Sequence, residues 1–202
     1  MSTAYEEIGR TAQKQRTRDA LLSAARALIA AGAAPTVEEA AEAADISRTT
    51  AYRYFPNQAL LLAAAHPETA TPSMLPPDAP ADDVEARLAL VMKEFTTVIA
   101  NTEAQQRTML RLSLERPRGE RNTLPLRQGR AIPWITEAIE PARARLGDAR
   151  LKRLVLAIRS ATGIEAMVWL IDIAGLSKTE AINTMRWTAT SLLRAALAEA
   201  AG

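Results

Sequence analysis

The sequence predicts an all-α fold: an N-terminal three-helix domain built on a helix-turn-helix, then a larger C-terminal helical domain, about nine helices in total. Three observations predict it. Apolar residues make up 48% of the chain but aromatics only 4%, so the core is built from Ala, Leu, Ile and Val; Ala and Leu favour helix. No alternating Val/Ile/Thr-rich segment bounded by turn residues occurs, so nothing is available to build a sheet. Thr36 with Glu39, and Ser177 with Glu180, each set a hydroxyl three residues before a carboxylate at the head of an apolar run, which is the signature of a capping box.

The 202 residues suffice for one larger domain or two small ones with a real core. There is no cysteine, which excludes disulfides, thiolate catalysis and cysteine zinc sites. The single histidine, His66, argues against a histidine metal site or a Ser-His-Asp triad. Without a Gly-rich phosphate loop or a cluster of metal ligands, neither enzymatic activity nor a cofactor or metal is expected. No apolar run is long and charge-free enough to span a membrane, and the polar N-terminus is unlike a signal peptide. A cytoplasmic location is expected.

Net charge is +2, which alone says nothing about nucleic acid. Residues 1–66 hold seven basic and seven acidic side chains, so distribution matters more than sum. Arg10, Lys14, Arg16 and Arg18 cluster before and at the start of the first helix, whereas Glu38, Glu39 and Glu42 lie on the second. A basic arm beside a groove-reading helix supplies phosphate attraction without a basic domain.

The stretch from Thr36 to Phe55 reads as two short helices joined by a tight turn. Val37, Ala40, Ala41 and Ala44 keep helical spacing after the Thr36 cap. Asp45 then supplies a residue that tolerates left-handed geometry, and Ile46 plugs inward. Ser47 caps the second helix, which ends near Phe55 because Pro56 disfavours helical geometry in the residue before it. This is a helix-turn-helix, whose second helix enters the DNA major groove. On that helix Arg48, Thr49, Thr50, Tyr52, Arg53 and Tyr54 are candidate donors to bases or phosphates, with Ser47 at its head. Helix N-termini bind phosphates through free N–H groups, which makes those at Thr36 and Asn57 candidate backbone clamps. Lys14, Arg16 and Arg18 are the candidate phosphate contacts of the arm.

The run from Ala44 to Leu61, ADISRTTAYRYFPNQALL, resembles the signature of TetR/AcrR-type transcriptional regulators, over about residues 15 to 66. Two positions depart from the usual pattern. Asp45 stands where a glycine usually fills the turn, and Gln58 where a lysine usually grips a phosphate. The resemblance implies a double-stranded DNA operator as partner, a homodimer, and a C-terminal domain that binds a small-molecule effector and thereby changes the spacing of the two DNA-binding heads. Repression is the commoner mode in that family.

In chain order, residues 1–12 lack an apolar period and are expected as a mobile arm of domain 1–66. Helix 1 is expected from Gln13 to Ala31, with Leu21, Leu22, Ala25, Leu28 and Ile29 inward and Gly32 as its stop. Helix 4 starts near Asn57, and His66 at its end is expected on the solvated surface. Five prolines between 67 and 80 make residues 67–81 a linker. Domain 82–202 follows, with helices over 82–100, 103–115, 126–146 (bent at Pro133 and Pro141, closed by Gly147), 148–174 and 177–200. The arginines of 116–127 are expected in a solvated loop.

The last two helices are apolar on more than one face, which requires two neighbours. A second subunit is the expected second neighbour, and two recognition helices then read half-sites roughly 34–36 Å apart. On the eighth helix Ile158, Thr162, Glu165, Trp169 and Asp172 fall near one face. With Met92, Phe95, Met109, Leu112 and Trp134 they are the candidate lining of an effector pocket; plain core, or carboxylates paired with arginines, is the competing reading. Gly163 marks either a close helix crossing or room for a ligand. The reading is a ligand-responsive repressor that binds a pseudo-palindromic operator as a homodimer. The alternative is a helical protein–protein adaptor whose hairpin is only structural.

Overall fold

The structure is a computed structural model that describes residues 4–66, 72–115 and 129–201. Among them every regular element is helical: α1 (Ala4–Ala30), α2 (Val37–Ala43), α3 (Arg48–Tyr54), α4 (Gln58–Ala65), α5 (Val84–Asn101), α6 (Glu103–Leu114), α7 (Ala131–Ile139), α8 (Arg143–Thr162), α9 (Ile164–Val168) and α10 (Lys178–Glu199). A 3-10 turn (Glu140–Ala142) precedes α8, and a π-helical turn (Trp169–Ile173) follows α9. The described residues form two units, one of 4–66 with 104–115, the other of 72–103 with 129–201. The expected loop over 116–122 lies outside the described residues, as do residues 67–71 of the expected linker.

In the first unit α1 starts at Ala4, so the arm expected over 1–12 is helical from that point. The packed part of α1 supplies the nucleus, and extension adds one hydrogen bond per residue without needing an apolar stripe. Leu21, Leu22, Ala25 and Ile29 are buried as expected. Gly32, at φ +87°, stops the helix: its N–H donates to Ile29 O at 2.9 Å and that of Ala33 to Leu28 O at 3.0 Å. This paired closure satisfies two of the carbonyls a helix end leaves open. Around the α1 stripe pack Val37, Ala40 and Ala41 of α2, Ala51 of α3, Phe55, and Leu61 and Leu62 of α4.

Two expectations change here. His66 is only 3% exposed, not solvated; the end of α4 that carries it is itself packed, with Leu61, Leu62, Ala63 and Ala65 buried. Helix α6 was expected to belong wholly to the C-terminal domain, but from residue 104 it groups with the first unit. Gln105, Met109 and Leu112 recur at i, i+4 and i+7 and form the stripe that packs there, Met109 buried and Leu112 partly so.

In the second unit α5, α7, α8 and α10 pack around Val91, Met92, Ile99, Ile135, Ile158, Met185 and Leu193, all at most 1% exposed. Phe95 and Trp134 meet edge to face at 6.4 Å, and the Trp134 indole N–H donates to Pro72 O at 3.2 Å. The Arg87 guanidinium donates to the carbonyls of Glu137 (2.9 Å) and Ala138 (3.0 Å), capping the end of α7 where unpaired carbonyls and the negative helix pole collect. Ion pairs Arg194–Glu85 and Lys178–Glu103 tie α10 to α5 and to the first residue of α6. Pro133 sits in the first turn of α7 and Pro141 in the 3-10 turn, where each is tolerated.

Gly147, at φ +73°, breaks the helical backbone where the seventh helix was expected to close. The eighth helix, expected unbroken over 148–174, is interrupted at Gly163, which is extended at φ −87°, ψ −178° and separates α8 from α9. Contrary to the expectation that no run is apolar enough to span a membrane, the stretch Ala131–Ile173 is long and apolar enough by length and composition alone. The backbone breaks divide that stretch into separate helices, with Ile158, Thr162, Ile164 and Met167 facing the core.

Candidate nucleic-acid interface

Helix α2 is set by its capping box. The Thr36 hydroxyl accepts from Glu39 N–H at 3.2 Å, while the Glu39 carboxylate accepts from Thr36 N–H at 2.7 Å. These bonds hold the Glu39 carboxyl below its ordinary range, the Thr36 backbone contribution being the larger. The turn to α3 runs through Asp45 at φ +53°, the only non-glycine residue with positive φ among those described. Asp45 N–H donates to Glu42 O at 3.1 Å and Ile46 N–H to Ala41 O at 2.9 Å. Aspartate thus makes the left-handed closure that glycine would make at lower cost. Ser47 caps α3 by accepting from Thr50 N–H at 3.3 Å, and its own hydroxyl donates to Thr50 Oγ1 at 2.9 Å.

Helix α3 is anchored by Ala51, fully buried, and by Phe55 just beyond its end. That anchor turns Arg48, Thr49, Tyr52 and Arg53 outward, while Thr50 and Tyr54 are half-buried, with Tyr54 against the core. The outward residues make two i, i+4 stripes. Arg48 and Tyr52 both reach back to α2: the Arg48 guanidinium pairs with Glu38 Oε1, and the Tyr52 hydroxyl donates to the same oxygen at 3.2 Å. Thr49 and Arg53 form the second stripe, exposed beside it.

Around this helix the other candidates divide by role. Arg18 stacks over the Phe55 ring at 5.7 Å, a cation–π contact that fixes its base beside α3. Arg16 donates to Ala12 O within α1, and Lys14 is exposed. Asn57 caps α4, its Oδ1 accepting from Leu60 N–H at 3.0 Å. Gln58 points elsewhere: its amide donates to Ala34 O at 2.9 Å and Pro35 O at 3.3 Å, bracing the α1–α2 loop. At the head of α2 the negative charges of Glu38 and Glu39 already occupy the positive pole of the helix.

Sequence reading missed two features of this surface. Glu38 was counted only as one acid of α2, although its position in the first turn is what lets it face α3. The loop carbonyls of Ala34 and Pro35 carry no side-chain signal at all.

The expected effector-pocket residues are not all brought together. Met92, Phe95, Trp134, Ile158 and Thr162 are buried in the second unit, where Arg159 stacks on Phe95 at 5.7 Å and pairs with half-buried Glu165 at 3.4 Å. Met109 and Leu112 are corrected to the first unit by the α6 stripe described above. Trp169 is 58% exposed, carried outward by the π-helical turn.

A buried three-helix support, a left-handed turn and an exposed recognition helix bearing arginine, threonine and tyrosine define a helix-turn-helix DNA-binding domain. Residues 21–65 match the family of bacterial regulatory proteins described as the tetR family. The N-terminal part of the chain accordingly carries a TetR-type helix-turn-helix domain, a match that supports a DNA-binding transcription regulator and is confined to that part. No curated protein matches the chain at a significant level.

Proposed function

We propose that the protein is a ligand-responsive repressor that binds a pseudo-palindromic operator as a homodimer through its last two helices. The observation that carries the DNA half is the outward face of α3, where Arg48, Thr49, Tyr52 and Arg53 stand exposed on a helix fixed by buried Ala51 and Phe55. Lys14, Arg16 and Arg18 supply phosphate attraction alongside it, and the N-terminus of α4 at Asn57 supplies backbone donors, whereas that of α2 at Thr36 is taken up by its own acids.

The homodimer reading is supported by apolar side chains left in solvent. Leu156 on α8 and Trp187 on α10 are 47% and 70% exposed, and Trp169 and Ile173 of the π-helical turn are exposed too. A second copy of the same surface satisfies them by two-fold pairing. The effector reading rests on the partly buried Arg159–Glu165 pair, with Arg159 over Phe95 and Phe95 edge to face with Trp134: apolar side chains with a few polar groups suit a small molecule.

Sedimentation analysis of the wild type and of Trp187→Glu tests the assembly. A dimer that the substitution converts to monomer, with parallel loss of binding to a selected two-fold duplex, supports the proposal. A wild-type monomer at micromolar concentration contradicts it.

A further inference from the structure

Glu38 occupies an unusual place for an acid. It stands on the supporting helix of a DNA-binding hairpin, and one of its oxygens receives both Arg48 and Tyr52 from the recognition helix. Those two residues are one turn apart on α3, so Glu38 couples the whole of one reading stripe to α2. The stripe beside it, Thr49 and Arg53, is exposed, with no such tether among the described residues. The three groups are open to solvent, the Arg48 and Glu38 side chains 71% and 42% exposed. An exposed ion pair adds little to folding, and the α2 cap is already made by Glu39 and Thr36. The attraction of Glu38 to the positive pole of α2 is a small term at an exposed position too, so stability gives little reason for an acid at Glu38 where phosphates must approach.

We propose that Glu38 is a specificity-determining positioning residue: it holds Arg48 and Tyr52 as one oriented unit and cancels the charge of Arg48 toward phosphates until a base edge engages it. The physical case is a difference between two kinds of binding. Non-specific attachment consists of phosphate contacts, each releasing counterions. An arginine already paired with a carboxylate gains little by exchanging it for a phosphate oxygen, because both are anionic acceptors of similar geometry. Base readout differs, because a guanidinium held in a fixed orientation presents its remaining N–H groups to a guanine edge with less conformational freedom to lose. Glu38 thus lowers affinity for any duplex and preserves it for the right one.

The inference rests on the DNA-binding reading, and the experiment separates the two. Wild type, Glu38→Gln, Arg48→Ala and the double variant are titrated by fluorescence anisotropy against a duplex selected from a random pool and against a mixed-sequence duplex, across a salt series. Circular dichroism checks that all four are folded. Glu38→Gln is expected to tighten mixed-sequence binding, to steepen its salt slope by about 0.9 as one more phosphate is engaged, and to lower the ratio of selected to mixed affinity by about tenfold. In the Arg48→Ala background the same substitution is expected to change neither slope nor ratio by more than about twofold. An unchanged ratio in the single variant overturns the proposal, and so does an equal effect in the Arg48→Ala background, which assigns the change to general charge. Failure of the wild type to select any duplex contradicts the DNA-binding reading itself.

Discussion

Gln105 Nε2 donates to the Leu62 carbonyl at 2.8 Å, with both residues buried. Leu62 lies in the last turn of α4, where carbonyls have no partner within the helix. A side chain of α6 thus closes the end of the helix that follows the recognition helix, inside one packed unit. Gln105→Ala leaves that carbonyl buried and unpaired. The expected loss is about 1–3 kcal/mol, read as a lower midpoint in urea denaturation with little change in slope.

Gln58 stands where the resemblance places a phosphate-gripping lysine, yet its amide donates to Ala34 and Pro35. Its work is to brace the loop between α1 and α2. Gln58→Ala is expected to cost about 1 kcal/mol of stability and to leave the salt slope of DNA binding unchanged, because no charge is removed. A loss of affinity for every duplex alike in a variant of unchanged stability assigns Gln58 to the phosphate backbone instead.

The carboxyls of Glu39 and Glu180 are both held below 4.5, through backbone and side-chain bonds to Thr36 in the first case and side-chain and backbone bonds to Ser177 in the second. Between the depressed folded value and the unfolded one, the unfolded chain binds more protons, so stability rises with pH across that window. The contribution is complete above about 4.5 and is lost as pH falls through the folded value. Thr36→Ala is expected to lower stability at neutral pH by about 1 kcal/mol through loss of the cap, and to flatten the acid limb of the stability curve. Denaturation midpoints between pH 3 and pH 7 check both.

Gly163 takes an extended conformation open to any residue, so its constraint is space rather than backbone. A Cβ there overlaps the ends of the Arg159 and Glu165 side chains, which pair across the break. Gly163→Ala is expected to part that pair and loosen Arg159 from Phe95, destabilising the second unit by about 1 kcal/mol. Thermal melting of the variant beside the wild type reads the difference, about 2–4 °C for a chain of this size.

Local chemistry made the hairpin legible in advance. Thr36, Ser47, Asn57 and Ser177 all cap the helices their spacing indicates, and Asp45 adopts the left-handed turn. Such features depend on residues three or four apart, which a sequence displays directly. Tertiary choices were less visible. The burial of His66, the allegiance of Met109 and Leu112 to the N-terminal core, and the Gln58 bond to Ala34 join residues far apart in the chain. The break at Gly163 was read as a glycine within a helix, because apolar spacing on both sides continues in phase. Glu38 was hidden because its role depends on the angle between α2 and α3, which no residue type encodes.

The most direct test of the central claim is selection of bound duplexes from a random pool by protein refolded from denaturant, at two salt concentrations. The account predicts enrichment of one two-fold-symmetric site, with half-sites about one helical turn apart and affinity falling steeply as salt rises. No enrichment at either concentration would contradict it.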